Sequence, residues 1–235
     1  MKVRYLIKFS KGEGIKFISH LDLMRTIQRI IRRSGVPIEY SKGFNPHMAL
    51  SLAQPLSVGV YSEGEYMDII LTEKMEEVDL LAKLNEAAPP TIRFFEATAI
   101  EIIENVKRVP QAMALLDAGR YIIKLKLKSE EKVEEKMAAL LNESAWETLK
   151  KSKKGEKLAD IKPLVKELKY WVKDNELVLN ALIATGSREN LSADLLARYI
   201  TSKVDNINED SFVNIKREEM YVLKNNKYVP LYKAL

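Results

Sequence analysis

The sequence predicts an α+β protein built of two halves, each with the element order β-α-β-β-α-β and an antiparallel sheet. Apolar and charged residues alternate at the start of the chain, which is the period of a half-buried strand. The segment after it has apolar residues at helical spacing. The same order of strand-like and helix-like patterns then recurs in the second half of the 235 residues. A chain of this length allows two small domains, and we expect two.

Four extended segments and two helices are predicted in the first half. The first strand covers residues 3–9, and the helix after it begins with Ser19 and Asp22, an S-x-x-D capping box. Gly35 and Pro37 mark the region where this helix ends. The remaining elements are an extended piece at 38–40, a strand at 65–71, a helix at 76–87 and a strand at 93–103. This order is the ferredoxin-like arrangement, in which an antiparallel sheet carries two helices on one face.

The second half repeats this pattern less regularly. We predict a strand at 121–127, a helix at 130–141, strands near 146–151, 167–172 and 177–184, a helix from Ser192, and a strand near 212–222. The two halves would be joined at Val109-Pro110. We therefore expect a first ferredoxin-like domain of residues 1–108 and a second, less regular ferredoxin-like domain of residues 109–235.

The composition excludes several classes of site. Cysteine is absent, so disulfides, zinc–thiolate sites, a cysteine nucleophile and cysteine-held iron–sulfur clusters are all excluded. We predict no cofactor, and we predict no metal site because the histidines lack the spacing of a helical ligand pair. The N-terminal segment lacks the apolar core of a signal peptide, and no apolar run approaches the ~20 residues that cross a bilayer. We expect a cytoplasmic protein.

The positive charge is concentrated at the start of the chain. Residues 1–50 contain ten lysines and arginines but only three acids, whereas the whole chain has a net charge of +5. A further lysine cluster at 150–157 is more often a solvated loop than a binding site. The first fifty residues are therefore the predicted functional surface.

An arginine stripe lies on the first predicted helix. Arg25, Arg29 and Arg32 fall on the side opposite the apolar residues, and Arg33 flanks them. A guanidinium group suits bidentate contacts with phosphates and carboxylates. We favour phosphate or polyanion binding over the alternative, which is an ordinary solvated helix face.

A loop rich in turn residues follows this helix. Gly43 frees the backbone for positive φ or close ligand approach, Asn45-Pro46 fixes a turn, and Phe44 offers a ring for stacking. The alternative is a stiff connection with Phe44 in the core. The candidate substrate- or RNA-binding residues before the arginine stripe are Lys16, Ser19 and His20, and those in the loop are Tyr40, Ser41, Lys42, Gly43, Phe44, Asn45 and His47.

His20 and His47 are the two histidines of the chain. The predicted fold places both segments near one end of the first sheet, where two imidazoles would serve as acid and base in RNA cleavage. The alternative is that His20, in the first turn of its helix, is a hydrogen-bonded structural histidine. We favour the structural alternative, so no catalytic residue is predicted.

Several of these segments together resemble the radical-SAM-linked protein family. The resemblance is carried by residues 17–25, Arg29, Arg32, Arg33, Pro37 and 40–47, continues through 52–59, Ser62, Glu63 and Glu65, and is weaker at 160–163. Met48 departs from the proline that family members usually have there. The resemblance implies a radical SAM enzyme as partner, since members lie beside or are fused to one. It also implies gene neighbours such as an RNase E/G-type ribonuclease and ribosomal proteins.

These observations lead to one expected function and two alternatives. We expect a non-catalytic accessory protein that binds RNA or an RNA-containing substrate and works with a radical SAM enzyme, since a chain without cysteine cannot hold that enzyme's cluster. One alternative is a Cas6-like, metal-independent endoribonuclease that uses His20 and His47. The other is a protein-binding adaptor that contacts no nucleic acid. Fold alone does not choose among them.

Overall fold

The computed structural model describes residues 2–102, 109–152 and 155–235. The described strands, in chain order, are β1 (Val3–Lys11), β2 (Leu50–Leu52), β3 (Val60–Leu71), β4 (Phe94–Glu101), β5 (Ala118–Lys126), β6 (Glu147–Ser152), β7 (Gly155–Asp160), β8 (Val165–Lys173), β9 (Glu176–Ala184), β10 (Asn214–Lys224) and β11 (Lys227–Pro230). The described α-helices are α1 (His20–Ser34), α2 (Glu77–Ala87), α3 (Ala112–Leu115), α4 (Val133–Asn142) and α5 (Ala193–Lys203). The protein is therefore α+β, with a mostly antiparallel sheet.

The chain forms two compact units. The first contains Met1–Asp117 and Glu219–Leu235, and the second contains Ala118–Glu218. This division differs from the predicted boundary at 108/109, because the end of the chain returns to the first unit. Leu116, Met220 and Leu231 pack there in one apolar cluster with Leu6 and Tyr66. Local sequence patterns do not encode which unit a C-terminal strand joins.

In the first unit, three strands pair in the order β4-β1-β3, and β2 pairs with the other edge of β3. All of these pairs are antiparallel. In β1, Val3 lies opposite Leu71 and Lys11 lies opposite Ser62. The predicted extended piece at 38–40 forms only isolated bridges, and the strand begins later, at Leu50. Residue 103, predicted to end β4, lies outside the described residues.

Strand β1 is buried on both faces, whereas its alternating pattern predicted a half-buried strand. Tyr5, Ile7 and Phe9 pack against α1 and α2. On the opposite face, Arg4 pairs with Asp68 of β3 and donates to the Val109 and Pro110 carbonyls, and Lys8 pairs with Glu219 of the returning segment. Alternation alone does not reveal this because the covering residues are far away in sequence.

The second unit has the strand order β10-β5-β9-β8, with the first part of β10 belonging to it. The pairs β5–β9 and β8–β9 are antiparallel. The strand predicted at 146–151 lies outside this sheet: β6 pairs with β7, which was not predicted, in a separate two-stranded hairpin. The indole N–H of the buried Trp146 donates to the Leu140 carbonyl at 3.0 Å and so fixes the residue before this hairpin.

None of the helices in the described ranges has the length and apolar character needed to cross a membrane.

Candidate functional site

The first turn of α1 is organised by its predicted cap. The Ser19 Oγ accepts a hydrogen bond from the Asp22 N–H at 3.2 Å and donates one to Asp22 Oδ2 at 2.7 Å. Arg25 Nη1 donates to Asp22 Oδ1 at 3.1 Å. The Ser19 hydrogen bond, followed by that from Arg25, holds the pKa of Asp22 below its ordinary value. Ser19 thus acts as a helix cap, and the charge of Arg25 is partly compensated by Asp22.

A buried lysine that the sequence did not single out fixes the segment before α1. Lys11 is 1% exposed, and its Nζ donates to the carbonyls of Lys16 at 3.0 Å and Ile18 at 3.2 Å. The Lys16 Nζ is in turn paired with Glu13 at 2.9 Å. Lys16, predicted to bind a ligand, is therefore involved in local structure through both its backbone and its side chain.

The four arginines of α1 divide into two kinds. All four are exposed, while Leu23, Ile27, Ile30 and Ile31 on the opposite side are buried. Arg25 is paired with Asp22, and Arg33 Nη2 donates to the Ala87 carbonyl at the end of α2 at 2.7 Å. Arg29 and Arg32 contact no acceptor within the part of the chain that the structure describes. Arg29 and Arg32 thus keep all their hydrogen-bond donors available to a ligand, whereas Arg25 and Arg33 each engage some of theirs within the protein.

We call residues 40–48 the finger. A bridge between Tyr40 and Met48 closes it, the Ser41 N–H donates to the His47 carbonyl at 2.8 Å, and the His47 N–H donates to Ser41 Oγ at 2.9 Å. Met48 is buried in the core of the first unit, whereas residues 41–47 are all exposed. Ser41 therefore has a structural role, and the rest of the finger is presented to solvent.

Phe44 lies in the exposed part of the finger. Its side chain is fully exposed, which excludes the alternative that it packs into the core. The neighbouring Gly43 has φ = 124°, a conformation that residues with a Cβ rarely adopt, although nothing lies within 4 Å of where a Cβ would be. Lys42 and His47 are also exposed, and the finger contains no acidic residue. Its surface thus combines a free aromatic ring with positive charge.

The structure separates the two histidines. The Glu39 N–H at the root of the finger donates to the Ile70 carbonyl, and Ile70 lies opposite Arg4 in β1. The segment before His20 is held instead by Lys11, seven residues further along the same strand. These attachment points are roughly 20 Å apart at ~3.3 Å per residue. The expectation that both segments lie near one end of the sheet was wrong.

The surroundings of the two imidazoles also differ. His20 is half-buried, and its Nδ1 is buried without a hydrogen-bond partner among the described residues. His47 is exposed on the finger.

The predicted residues form two groups. Lys16, Ser19, His20 and Arg25 lie at the start of α1, and the remaining residues lie at the end of α1 and on the finger. The members of the second group share one end of the unit, because Ile38, shortly after Arg32 and Arg33, bridges to Leu71 beside the attachment of the finger.

A family defined by sequence matches residues 4–193, and its description reads "Uncharacterized protein conserved in bacteria (DUF2344)". The chain belongs to this bacterial family. That match includes the whole of α1 and the finger. The description of the family names neither an activity nor a partner.

Solved structures resemble this chain only distantly. A crystal structure of a Cbf5-Nop10-Gar1 complex is similar over 92% of this chain, with 9% identity and a TM-score of 0.49, and this chain spans about half of it, 48%. An unknown protein from Galdieria sulphuraria is similar over 94% of this chain and 100% of its own, with 10% identity and a TM-score of 0.27. These likenesses carry no argument about function. No curated protein matches the chain significantly.

The described residues include a cleft but no metal-ligand cluster. In the second unit, a cleft of ≈ 570 Å³ lies between the β6–β7 hairpin and α5, and Lys150, Glu156, Arg198 and Tyr199 are among its lining residues. Lys150 belongs to the predicted lysine cluster and donates to the Asn190 carbonyl at 2.7 Å. Residues 153 and 154 of that cluster lie outside the described ranges. Within those ranges, no group of three or more His, Asp or Glu side chains is placed to hold a metal ion.

Proposed function

We propose that the first unit binds single-stranded RNA through the end of α1 and the finger, without cleaving it. The observation that carries this proposal is the combination of two unpaired guanidinium groups, Arg29 and Arg32, with a fully exposed Phe44 on an acid-free finger at the same end of the unit. Arginine side chains suit phosphate oxygens, and an exposed aromatic ring suits an unpaired base.

Each group has a distinct part in the proposed complex. Arg29 and Arg32 contact phosphates, and because these contacts do not depend on sequence they supply affinity rather than specificity. Phe44 stacks on a base, a contact that contributes about 1–3 kcal/mol in proteins that bind single strands. Gly43 provides the backbone conformation that presents the ring, and Lys42 adds positive charge beside it.

The separation of the histidines supports the part of the proposal that excludes cleavage. Acid–base cleavage of RNA requires one group to accept a proton and another to donate one within hydrogen-bond reach of the same phosphodiester. His20 and His47 are attached at opposite ends of β1 and β3. The Cas6-like alternative therefore has no geometric support from these two side chains.

The resemblance to radical-SAM-linked proteins supports a finer form of the proposal. In this form, the protein is an accessory subunit that presents RNA, or a substrate containing RNA, to a radical SAM enzyme. The chain has no cysteine with which to hold that enzyme's cluster, so the two activities would reside in different proteins or domains. The partner would be identified by copurification from the native host, with the bound protein and RNA both analysed.

We also infer that both units are ferredoxin-like. Apart from the end of β10 and β11, which return to the first unit, the strands β4-β1-β3-β2 of that unit and β10-β5-β9-β8 of the second both become 4-1-3-2 when they are numbered separately in chain order. The β6–β7 hairpin is then an insertion between the first helix and the second strand of the second unit. This inference agrees with the β-α-β-β-α-β order of the sequence.

The test of the proposal is the affinity for a fluorescently labelled oligouridine, measured by anisotropy at low salt. The double variant Arg29→Gln/Arg32→Gln should bind at least tenfold more weakly than the unmodified chain. Arg25→Gln/Arg33→Gln is the matched control, since it removes the same charge from the same helix but at arginines that already have partners. Equal losses in both variants would indicate nonspecific attraction to the helix. No binding by the unmodified chain would contradict the proposal and favour the protein-binding adaptor.

A further inference from the structure

The sheet of the second unit has a face turned away from α4. In β8, the Tyr170 hydroxyl donates to the Glu134 carbonyl of α4 at 3.4 Å, so the even-numbered residues of this strand face the helix. Because side chains alternate along a strand, the odd-numbered residues lie on the opposite face. Four of them, Glu167, Lys169, Trp171 and Lys173, are exposed.

The two tryptophans of the chain have contrasting environments. Trp146 is 1% exposed, its indole N–H donates to a carbonyl, and its ring stacks on Tyr199 with 5.5 Å between centroids. Trp171 is 41% exposed and lies opposite Val178, and its indole N–H has no partner within the described residues. A ring of this size left in water forgoes much of the stabilisation that its burial provides.

Positive charge predominates on this face. The residues of β5, β8 and β9 on the same side as Trp171 include the cations Arg120, Lys124, Lys126, Lys169 and Lys173 and the acids Glu167 and Glu176. Both acids already have partners, since Glu167 pairs with Arg120 at 2.7 Å and Glu176 with Lys124 at 3.9 Å. Lys169 and Lys173 form no ion pair within the described part of the chain, so the face complements a polyanion.

We propose that this face of the second unit is a second binding site for single-stranded RNA, in which Trp171 stacks on a base and Lys169 and Lys173 contact phosphates on either side. The two lysines lie two residues before and after the ring, about 6.6 Å away along the strand at ~3.3 Å per residue. A sheet face that displays aromatic rings among cations is a recurring platform for unpaired bases.

Protection of a sheet edge does not account for this arrangement. Strand β8 is the last in the order β10-β5-β9-β8, and lysines on an edge strand do prevent association between sheets. An exposed tryptophan between those lysines has the opposite effect, because it adds apolar surface at the edge. The inference rests on the proposed function in naming RNA as the ligand, but it uses residues of the other unit.

The experiment is a titration of the full-length chain with oligouridine, followed by tryptophan fluorescence. Because Trp146 is buried, a change on binding reports Trp171. We expect quenching in the unmodified chain, its loss in Trp171→Phe with little change in affinity, and binding about tenfold weaker in Trp171→Ala. Lys169→Gln/Lys173→Gln should also weaken binding. Lys166→Gln/Lys203→Gln should not, because those lysines are already paired with Glu189 and Glu143.

The outcomes separate this inference from the proposed function. Binding that depends on Arg29 and Arg32 but leaves the tryptophan fluorescence unchanged would overturn the second site and leave the first. Quenching that persists unaltered in Arg29→Gln/Arg32→Gln, with affinity also unaltered, would support the second site and overturn the first. Equal quenching by polyglutamate would make the face a docking surface for an acidic protein, and absence of any RNA binding would overturn both.

Discussion

Arg4 and Lys8 in β1 carry the same charge as Arg29 and Arg32 in α1 but have opposite surroundings. Arg4 lies 3.3 Å from the buried Asp68, and Lys8 Nζ lies 2.6 Å from Glu219. The two helix arginines lie on the other side of the same sheet, exposed and without an acceptor among the described residues. At these four positions, the positive charge is structural where a carboxylate packs against it and available to a ligand where none does.

The buried side of this comparison consists of two groups of contacts, one around Glu219 and one around Asp68. The Tyr66 hydroxyl donates to Glu219 Oε1 at 2.6 Å, and the Ala112 N–H donates to Asp68 Oδ2 at 2.8 Å. Burial, reinforced by Glu219, raises the pKa of Tyr66, so the phenol stays a donor. Burial also raises the pKa of Asp68, against the opposing effects of the Ala112 N–H and Arg4. Removing one member therefore leaves others buried without partners.

The largest effect is expected from Glu219→Ala. This change leaves the Lys8 ammonium and the Tyr66 hydroxyl without their acceptor, so it should lower the free energy of unfolding by about 3–5 kcal/mol. Urea denaturation at neutral pH measures it. By contrast, Arg29→Gln/Arg32→Gln should change that free energy by less than about 0.5 kcal/mol per site. Similar losses in the two variants would remove the distinction between buried and available charge.

The next effect concerns the finger. Phe44→Ala should weaken binding of oligouridine by about 1–3 kcal/mol, because a stacked base loses its platform. The melting temperature should stay the same, since a fully exposed side chain contributes little to folding. Phe17→Ala is the control: Phe17 is also exposed but lies beside the start of α1, so its removal should leave binding unchanged. Equal effects of the two changes would remove the finger from the site.

A smaller effect is expected at the cap of α1. Ser19→Ala should destabilise the protein by about 1 kcal/mol through loss of the capping hydrogen bond. The depressed pKa of Asp22 makes its contribution to stability present above the ordinary value of 3.8 and lost as the pH falls through its folded-state value. Thermal unfolding between pH 2 and pH 6 should thus show a weaker acid dependence in Ser19→Ala. An unchanged acid dependence would mean that the hydrogen bond from Ser19 does not lower the pKa of Asp22.

The start and end of α1 illustrate what local sequence encodes. The capping box placed Ser19 correctly, and Gly35, with φ = 68°, ends the helix as its sequence position indicated. The pattern of buried residues followed from helical spacing. These features depend on residues within a few positions of one another, so sequence reasoning reaches them.

The buried charges illustrate what local sequence does not encode. Glu219 is 211 positions from Lys8, and no pattern around either residue indicates that they meet. The role of Lys11 was missed for a different reason: its acceptors lie close by in sequence, but they are backbone carbonyls, which no side-chain pattern reveals. The pairing of His20 with His47 failed because strand register, which sequence alone does not give, set their separation. Trp171 was missed because the sequence of β8 does not show which of its residues lie on the face turned away from α4.

The most direct test of the central claim is the salt dependence of oligouridine binding. If Arg29 and Arg32 each neutralise a phosphate, the slope of log affinity against log salt should be about 1.4 smaller in magnitude in Arg29→Gln/Arg32→Gln than in the unmodified chain, at ~0.7 counterions per contact. Arg25→Gln/Arg33→Gln should reduce it by clearly less, because those guanidinium groups are already engaged within the protein. A slope that is the same in the unmodified chain and in the Arg29→Gln/Arg32→Gln variant would contradict the account.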